Sequence, residues 1–267
     1  MAEAPVSDPY RLLRAATSAR IGLGRAGHAL PTRPLLALQL AEARARAAVF
    51  VALDLDHLRR QISTACLMAD SAAPDRETYL RNPDLGRRLA PHAAALPRQD
   101  ADLAIVIADG LSAGAVHAHA PALVHALLSR LCDWRVGPPI LARQGRVALG
   151  DAIGQAVGAR AVVVLIGERP GLSAADSLGA YITWAPRLGR LDAERNCVSN
   201  IREPGGLATD EAADKIAWLL IQARRLGFTG VDLKDREAPA LGGRSSEGEV
   251  TPFPGHAPPP GGSLCHS

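Results

Sequence analysis

An α/β domain built on an open, mostly parallel sheet flanked by helices is the fold this chain predicts, and three observations predict it. Residues 102–108 (DLAIVIA) and 161–167 (AVVVLIG) are short apolar runs with the length and β-branched content of buried strands. Longer stretches at 112–131 and 210–226 carry apolar residues at helical spacing and follow strand-like segments. Strands alternating with helices build a largely parallel, helix-covered sheet.

From the N-terminus, Tyr10 to Arg20 reads as a short helix. Ile21 to Gly27, IGLGRAG, formally contains G-x-G-x-x-G at Gly22, Gly24 and Gly27. A dinucleotide fingerprint needs a strand before the first glycine and a helix directly after the last, because the pyrophosphate rests on the helix N-terminus. Here a polar, helical segment precedes and Pro31 and Pro34 follow. The glycines are therefore expected in a loop packed on a partner or a neighbouring domain. A nucleotide-dependent oxidoreductase is kept as the minor alternative, which a strand directly before Gly22 would revive.

Thr32 as N-cap, with Pro34 in the first turn, opens a helix to about Asp54, with Leu35, Leu38, Ala41 or Glu42, Ala45 and Val49 near one face. A second helix is expected from Leu55 to Met68. Ser71 to Gln99 is polar and broken by Pro74, Pro83, Pro91 and Pro97, with one helical turn near Tyr79. That stretch is the expected boundary between an N-terminal helical region, residues 1–98, and an α/β domain, residues 99–233.

After the boundary, the strand ending at Ala108 runs into Asp109-Gly110, and Ser112 caps a helix to Leu131 that Pro121 should break or kink. An extended stretch within Gly137 to Val147, a short helix from Asp151 to Val157 and the strand Ala161 to Gly167 follow. Tyr181 to Ala185 and Asn196 to Ile201 are further strands. Helix Asp210 to Leu226, capped by Thr209 and stopped by Gly227, turns Ala213, Ile216, Ala217, Leu220 and Ala223 to the sheet. The layout is Rossmann-like. Right-handed crossovers place the post-strand loops on one edge, bringing Asp109, Glu168-Arg169 and Asn196-Cys197 toward one site. Residues 234–267, rich in Pro, Gly and Ser, are expected to be a disordered tail.

Composition narrows the function. The 30 basic and 27 acidic residues are spread along the chain and leave a formal charge of +3, so no nucleic-acid patch is signalled. The N-terminus lacks a secretory apolar core and the longest apolar runs fall short of the ~20 residues a membrane span needs, which points to a cytosolic protein. Cys66, Cys132, Cys197 and Cys265 are far apart, without C-x-x-C spacing, and are expected to be buried, reduced thiols. His117, His119 and His125 contain no i, i+4 pair for a helix-borne zinc site, and no metal site is expected. With no nucleophile elbow, P-loop lysine or paired carboxylates in view, a self-contained hydrolase or kinase is disfavoured. Glu168, delivered by a buried strand and aimed by the turn at Pro170-Gly171, is the leading ligand contact; Asp109 is a weaker one, because Asp-Gly is also ordinary turn chemistry.

Five segments in order carry a resemblance: TSARIGLGRAG with its LPT, LAIVIADGLSAGAVHAHA, GRVALGDAIG, LIGERPGLSAADSLGAYITWAPR and ERNCVSNIREPGG. Together, over roughly Tyr10 to Leu233, the chain resembles the small subunit of ethanolamine ammonia-lyase. The resemblance implies an adenosylcobalamin-dependent carbon–nitrogen lyase converting ethanolamine to acetaldehyde and ammonia by radical chemistry. It also implies an obligate large-subunit partner, a TIM barrel that holds the substrate, and a cytoplasmic location with possible enclosure in a bacterial microcompartment. Cofactor contacts carry over to Val147 in GRV, Glu168 in GERPG and Cys197 in RNCVSN, and no catalytic residue is implied here. In the helix after LPT, Glu42 and Ala47 stand where the family pattern has a histidine and an aspartate, which bears on docking to the large subunit. A non-catalytic cobalamin-binding or assembly subunit is the nearest alternative.

Overall fold

The computed structural model describes residues 8–17 and 19–234. The expected tail therefore lies outside the described residues, apart from Lys234. Six strands form one sheet in the order β1-β3-β2-β4-β5-β6. They are β1 (Leu67–Asp70), β2 (Leu103–Ala108), β3 (Ile140–Arg143), β4 (Ala161–Gly167), β5 (Leu178–Trp184) and β6 (Asn196–Ile201). The first four in that order pair in parallel, whereas β4–β5 and β5–β6 are antiparallel. Connection length explains the change of direction. Only residues 168–177 and 185–195 join β4 to β5 and β5 to β6, and a parallel return needs a crossover of a dozen or more residues, usually with a helix.

The helices are α1 (Arg11–Ala16), α2 (Thr32–Phe50), α3 (Leu55–Ile62), α4 (Arg76–Arg81), α5 (Ala113–Arg130), α6 (Leu149–Val157) and α7 (Thr209–Leu226). Alternate residues of β2 and β4 point to opposite faces, as a two-residue period requires. Ile105, Ile107, Val163 and Leu165 pack with α3, α5 and α7, while Ala104, Val106, Val162 and Val164 meet α6. Helix α6 lies close over β4: a Cβ on Gly150 would collide with Val164. It covers the middle of its face, and toward the β6 edge on that side Cys197 and Ser199 are exposed.

Several expectations are corrected. The second helix stops at Ile62, because Ser63 turns left-handed at φ 57°, and Leu67–Asp70 becomes an edge strand held by β3. The sheet thus takes a strand from before residue 99. Helix α2 ends at Phe50, short of Asp54, with Pro31 rather than Thr32 at its N-cap position and no side-chain cap. Thr209 likewise starts α7 without capping it; its own N–H is bonded by the Glu203 carboxylate at 3.3 Å. Ser112 does cap α5, accepting from the Ala115 N–H at 3.3 Å. Pro121 does not break α5, whose buried Val116, Ala120, Leu123, Val124 and Leu127 line the core on both sides of it. That burial, at roughly 1.5–3 kcal/mol per large side chain, outweighs a proline cost of about 3 kcal/mol.

Candidate functional site

Tyr181 of β5 borders a cleft of about 800 Å³ that is also lined by Val147 and Leu111 together with a set of arginines. Val147 stands just before α6 and packs, like Tyr181, against the core under that helix. Cys197 pairs with Tyr181 across the β5–β6 ladder, which puts the thiol beside the phenol. Glu168 leaves the end of β4 beside them. Its Oε2 accepts from the Ser177 hydroxyl at 2.5 Å and from the Asn200 N–H at 3.2 Å, while Oε1 has no donor among the described residues. A Cβ built on Gly179 would lie 2.9 Å from that Oε1 and 3.3 Å from the Tyr181 ring. Gly179 is thus the gap across which the carboxylate and the ring face each other.

Of the three sequence-predicted residues, Glu168 and Cys197 lie beside Tyr181, and Val147 lines the same cleft as Tyr181. Cys197 takes its place from within strand β6 rather than from a post-strand loop. The antiparallel run of β5 puts Leu178 at the Glu168 end of the sheet, and the β6 residue that reaches the carboxylate is Asn200, not Cys197. Tyr181 itself escaped sequence reasoning. The signal that could have found it is alternation in β5, where Ala180 and Ile182 belong to one face and Tyr181 to the other.

Electrostatics suit binding rather than acid–base work. Although Cys197 is exposed overall, partial desolvation of its sulfur raises the thiol above its ordinary value, the Tyr181 phenol opposing and the Glu168 charge adding. Burial likewise raises the Tyr181 phenol, reinforced by Cys197 and Glu168. Both groups stay neutral near pH 7, so Cys197 is not a thiolate nucleophile. Below the cleft, Arg195 meets Asp151 at 2.6 Å with both side chains almost fully buried.

Asp109 is a clamp rather than a ligand contact. Buried, it accepts from the Gln144 and Gly145 N–H groups at 3.1 and 3.0 Å and from Arg76 at 3.2 Å, joining the ends of β2 and β3. His117 accepts the Asp54 N–H at 2.9 Å, and His125 bonds the Gln61 carbonyl oxygen at 3.1 Å. Cys132 and Cys197 are exposed and Cys66 half-buried, against the expectation of buried thiols; Cys265 lies outside the described residues. Gly22, Gly24 and Gly27 all have positive φ, in a loop that follows α1 and precedes α2 by several residues. With no strand before them among the described residues, the dinucleotide reading falls. Nor is any described helix long and apolar enough to cross a membrane.

The family model for the ethanolamine ammonia-lyase light chain (EutC) matches residues 7–234. This chain belongs to the ethanolamine ammonia-lyase small-subunit family. The ethanolamine ammonia-lyase small subunit of Bradyrhizobium diazoefficiens is 55% identical over 236 residues, covering 85% of this chain and 90% of the relative. That of Xanthomonas campestris pv. campestris is 48% identical over 260 residues, covering 93% and 95%. That of Rhodococcus erythropolis is 45% identical over 238 residues, covering 87% and 92%. The family match takes in the whole described sheet, and with it Val147, Glu168 and Cys197.

Proposed function

We propose that this chain is the small subunit of an adenosylcobalamin-dependent ethanolamine ammonia-lyase and supplies one wall of the cobalamin site, at the interface with a large subunit that holds the ethanolamine. The observation that carries the reading is that Glu168 and Cys197, from separate segments, flank Tyr181, which lines the cleft together with Val147.

The residues fit a corrinoid. Its rim is apolar with neutral amide arms, and the wall offers the same mixture. Glu168 Oε1, without a donor among the described residues and held in place through Oε2, is an acceptor for an amide N–H. The Val147 side chain gives apolar contact, and the neutral Cys197 thiol is a small, polarisable surface. Pockets for drug-sized ligands run to about 1,000 Å³. A corrinoid is larger than such ligands, so this cleft would hold one side of it and leave the rest to the partner. Bound adenosylcobalamin supplies the radical chemistry. The residues of this chain orient the ring and keep water from its near edge.

Reconstitution tests the reading. The chain mixed with its large subunit, ethanolamine and adenosylcobalamin should release ammonia and acetaldehyde, and neither should form with either chain alone. Glu168→Ala should weaken cobalamin binding more than it weakens assembly. Unchanged cobalamin affinity in that variant would remove Glu168 from the wall.

A further inference from the structure

We propose that Arg146 and Arg169 form an anion seat in the 800 Å³ cleft that takes the phosphodiester in the nucleotide arm of the cobalamin. The inference deepens the cobalamin reading and rests on it. Arg87, Arg146, Arg169, Arg190 and Arg195 all line the cleft. Three of them are already paired: Arg87 with Asp84 at 3.4 Å, Arg190 with Glu194, and Arg195 with Asp151. The one acid on the lining, Asp192, faces Arg195 at 3.3 Å. Arg146 and Arg169 have no carboxylate partner among the described residues, so two of the arginines that line the cleft carry charge no carboxylate neutralises.

Arg146 is held in place without a counter-charge. Its guanidinium lies 4.5 Å over the ring of Tyr79, which is fully buried and donates its hydroxyl to the Gly145 carbonyl at 2.9 Å. The backbone N–H of Arg146 donates to the Gly86 carbonyl at 2.8 Å. Its Nε is shut off from water and has no acceptor. An under-bonded, partly desolvated cation gains more from an incoming anion than a solvated one does. Arg169 follows the end of β4, next to Glu168, just ahead of a turn closed by the Gly171 N–H on the Ala174 carbonyl at 2.9 Å.

Helix α6 begins directly after Arg146, Val147 and Ala148, which all line the cleft. Its first amides are spent on the carbonyls of Arg146, Val147 and Ala148 at 2.9, 3.0 and 3.2 Å. The helix end therefore adds positive potential but no free donor, and recognition falls to the two planar guanidinium forks, which suit phosphate oxygens. Cobalamin carries one such group, in the arm joining its ring to the nucleotide base. Free phosphate offers the same chemistry, so the test must separate the two.

Cyanocobalamin and dicyanocobinamide, which keeps the ring but lacks the nucleotide arm, would be titrated by absorbance against the complex of this chain with its large subunit. The Arg146→Gln/Arg169→Gln pair should weaken cyanocobalamin about 10-fold or more, while cobinamide stays within about 2-fold of wild type. Arg146→Lys/Arg169→Lys keeps both charges and should retain most of the cyanocobalamin affinity, showing that the fold survives substitution there. Equal losses for both ligands, or no loss for cyanocobalamin, would overturn the seat. So would a Gln pair that abolishes competition by inorganic phosphate without changing the ratio of the two corrinoid affinities, since the seat would then serve free phosphate. Failure of the wild-type complex to bind either corrinoid would overturn the cobalamin reading itself, and the seat with it.

Discussion

Arg195 and Asp151 meet at 2.6 Å with side chains 2% and 3% exposed, one leading into β6 and the other in the first turn of α6. The pair ties the helix that starts behind Val147 to the strand that carries Cys197. Arg195 also donates to the Thr183 hydroxyl at 3.2 Å and to the Arg190 carbonyl at 2.9 Å, so the guanidinium is satisfied only while every partner is in place. One buried ion pair thereby sets the spacing between two walls of the cleft.

Asp151→Asn would leave a guanidinium buried opposite a neutral amide. Loss of one partner of a buried pair costs about 3–5 kcal/mol, and the urea midpoint of this variant should fall accordingly. Replacing both residues with apolar ones, Asp151→Leu with Arg195→Met, should recover part of the loss. A change below about 1 kcal/mol in the single variant would show that the pair does not hold the walls.

Gly179→Ala places a methyl 2.9 Å from Glu168 Oε1, closer than real Cβ contacts come. The carboxylate must turn away or β5 must shift. Cobalamin affinity is expected to drop about 10-fold while the thermal midpoint moves by only a few degrees. An unchanged affinity would mean that the carboxylate does not face the ligand across this gap.

The junction between α2 and α3 should respond to pH. His117 Nε2 accepts the Asp54 N–H, which only the neutral ring can do. Burial lowers its pKa, the edge-on His57 ring adds to the effect, and Asp54 opposes it. With the folded value depressed, the unfolded state takes up the proton first. The contribution is therefore complete above about pH 6.5 and is lost as pH falls below that toward the folded value. Hydrogen exchange at the Asp54 amide, corrected for intrinsic rates, should show protection falling between pH 7 and pH 5. Constant protection across that range would refute the link.

Tyr79→Phe removes the hydroxyl that bonds the Gly145 carbonyl and leaves a buried acceptor unpaired. The expected cost is about 1–3 kcal/mol, read from denaturant unfolding. The ring remains beneath Arg146, so cyanocobalamin affinity in the folded variant should change little.

Much of the scaffold was legible in the chain. Residues 161–167 and 196–201 form strands with the expected bounds, and the predicted face of α7 is buried throughout. Gly227 ends that helix in the left-handed conformation, at φ 81°, as its position suggested. These elements announce themselves because burial imposes a period that neighbouring residues carry. Edge strand β1 did not: four residues, one of them buried, hold too little pattern to overrule a helix that seemed to continue through them.

Local sequence by itself determined which segments would be buried and which residue, Glu168, a strand would deliver to an end of the sheet. Only the tertiary structure decided that β5 turns back antiparallel, that Gly179 opens a gap beside the carboxylate, and that Tyr181 stands between Glu168 and Cys197 and lines a cleft with Val147. The physical reason is range. Burial period is written in adjacent residues, whereas strand direction, ladder register and the charges left without partners depend on segments tens of residues apart.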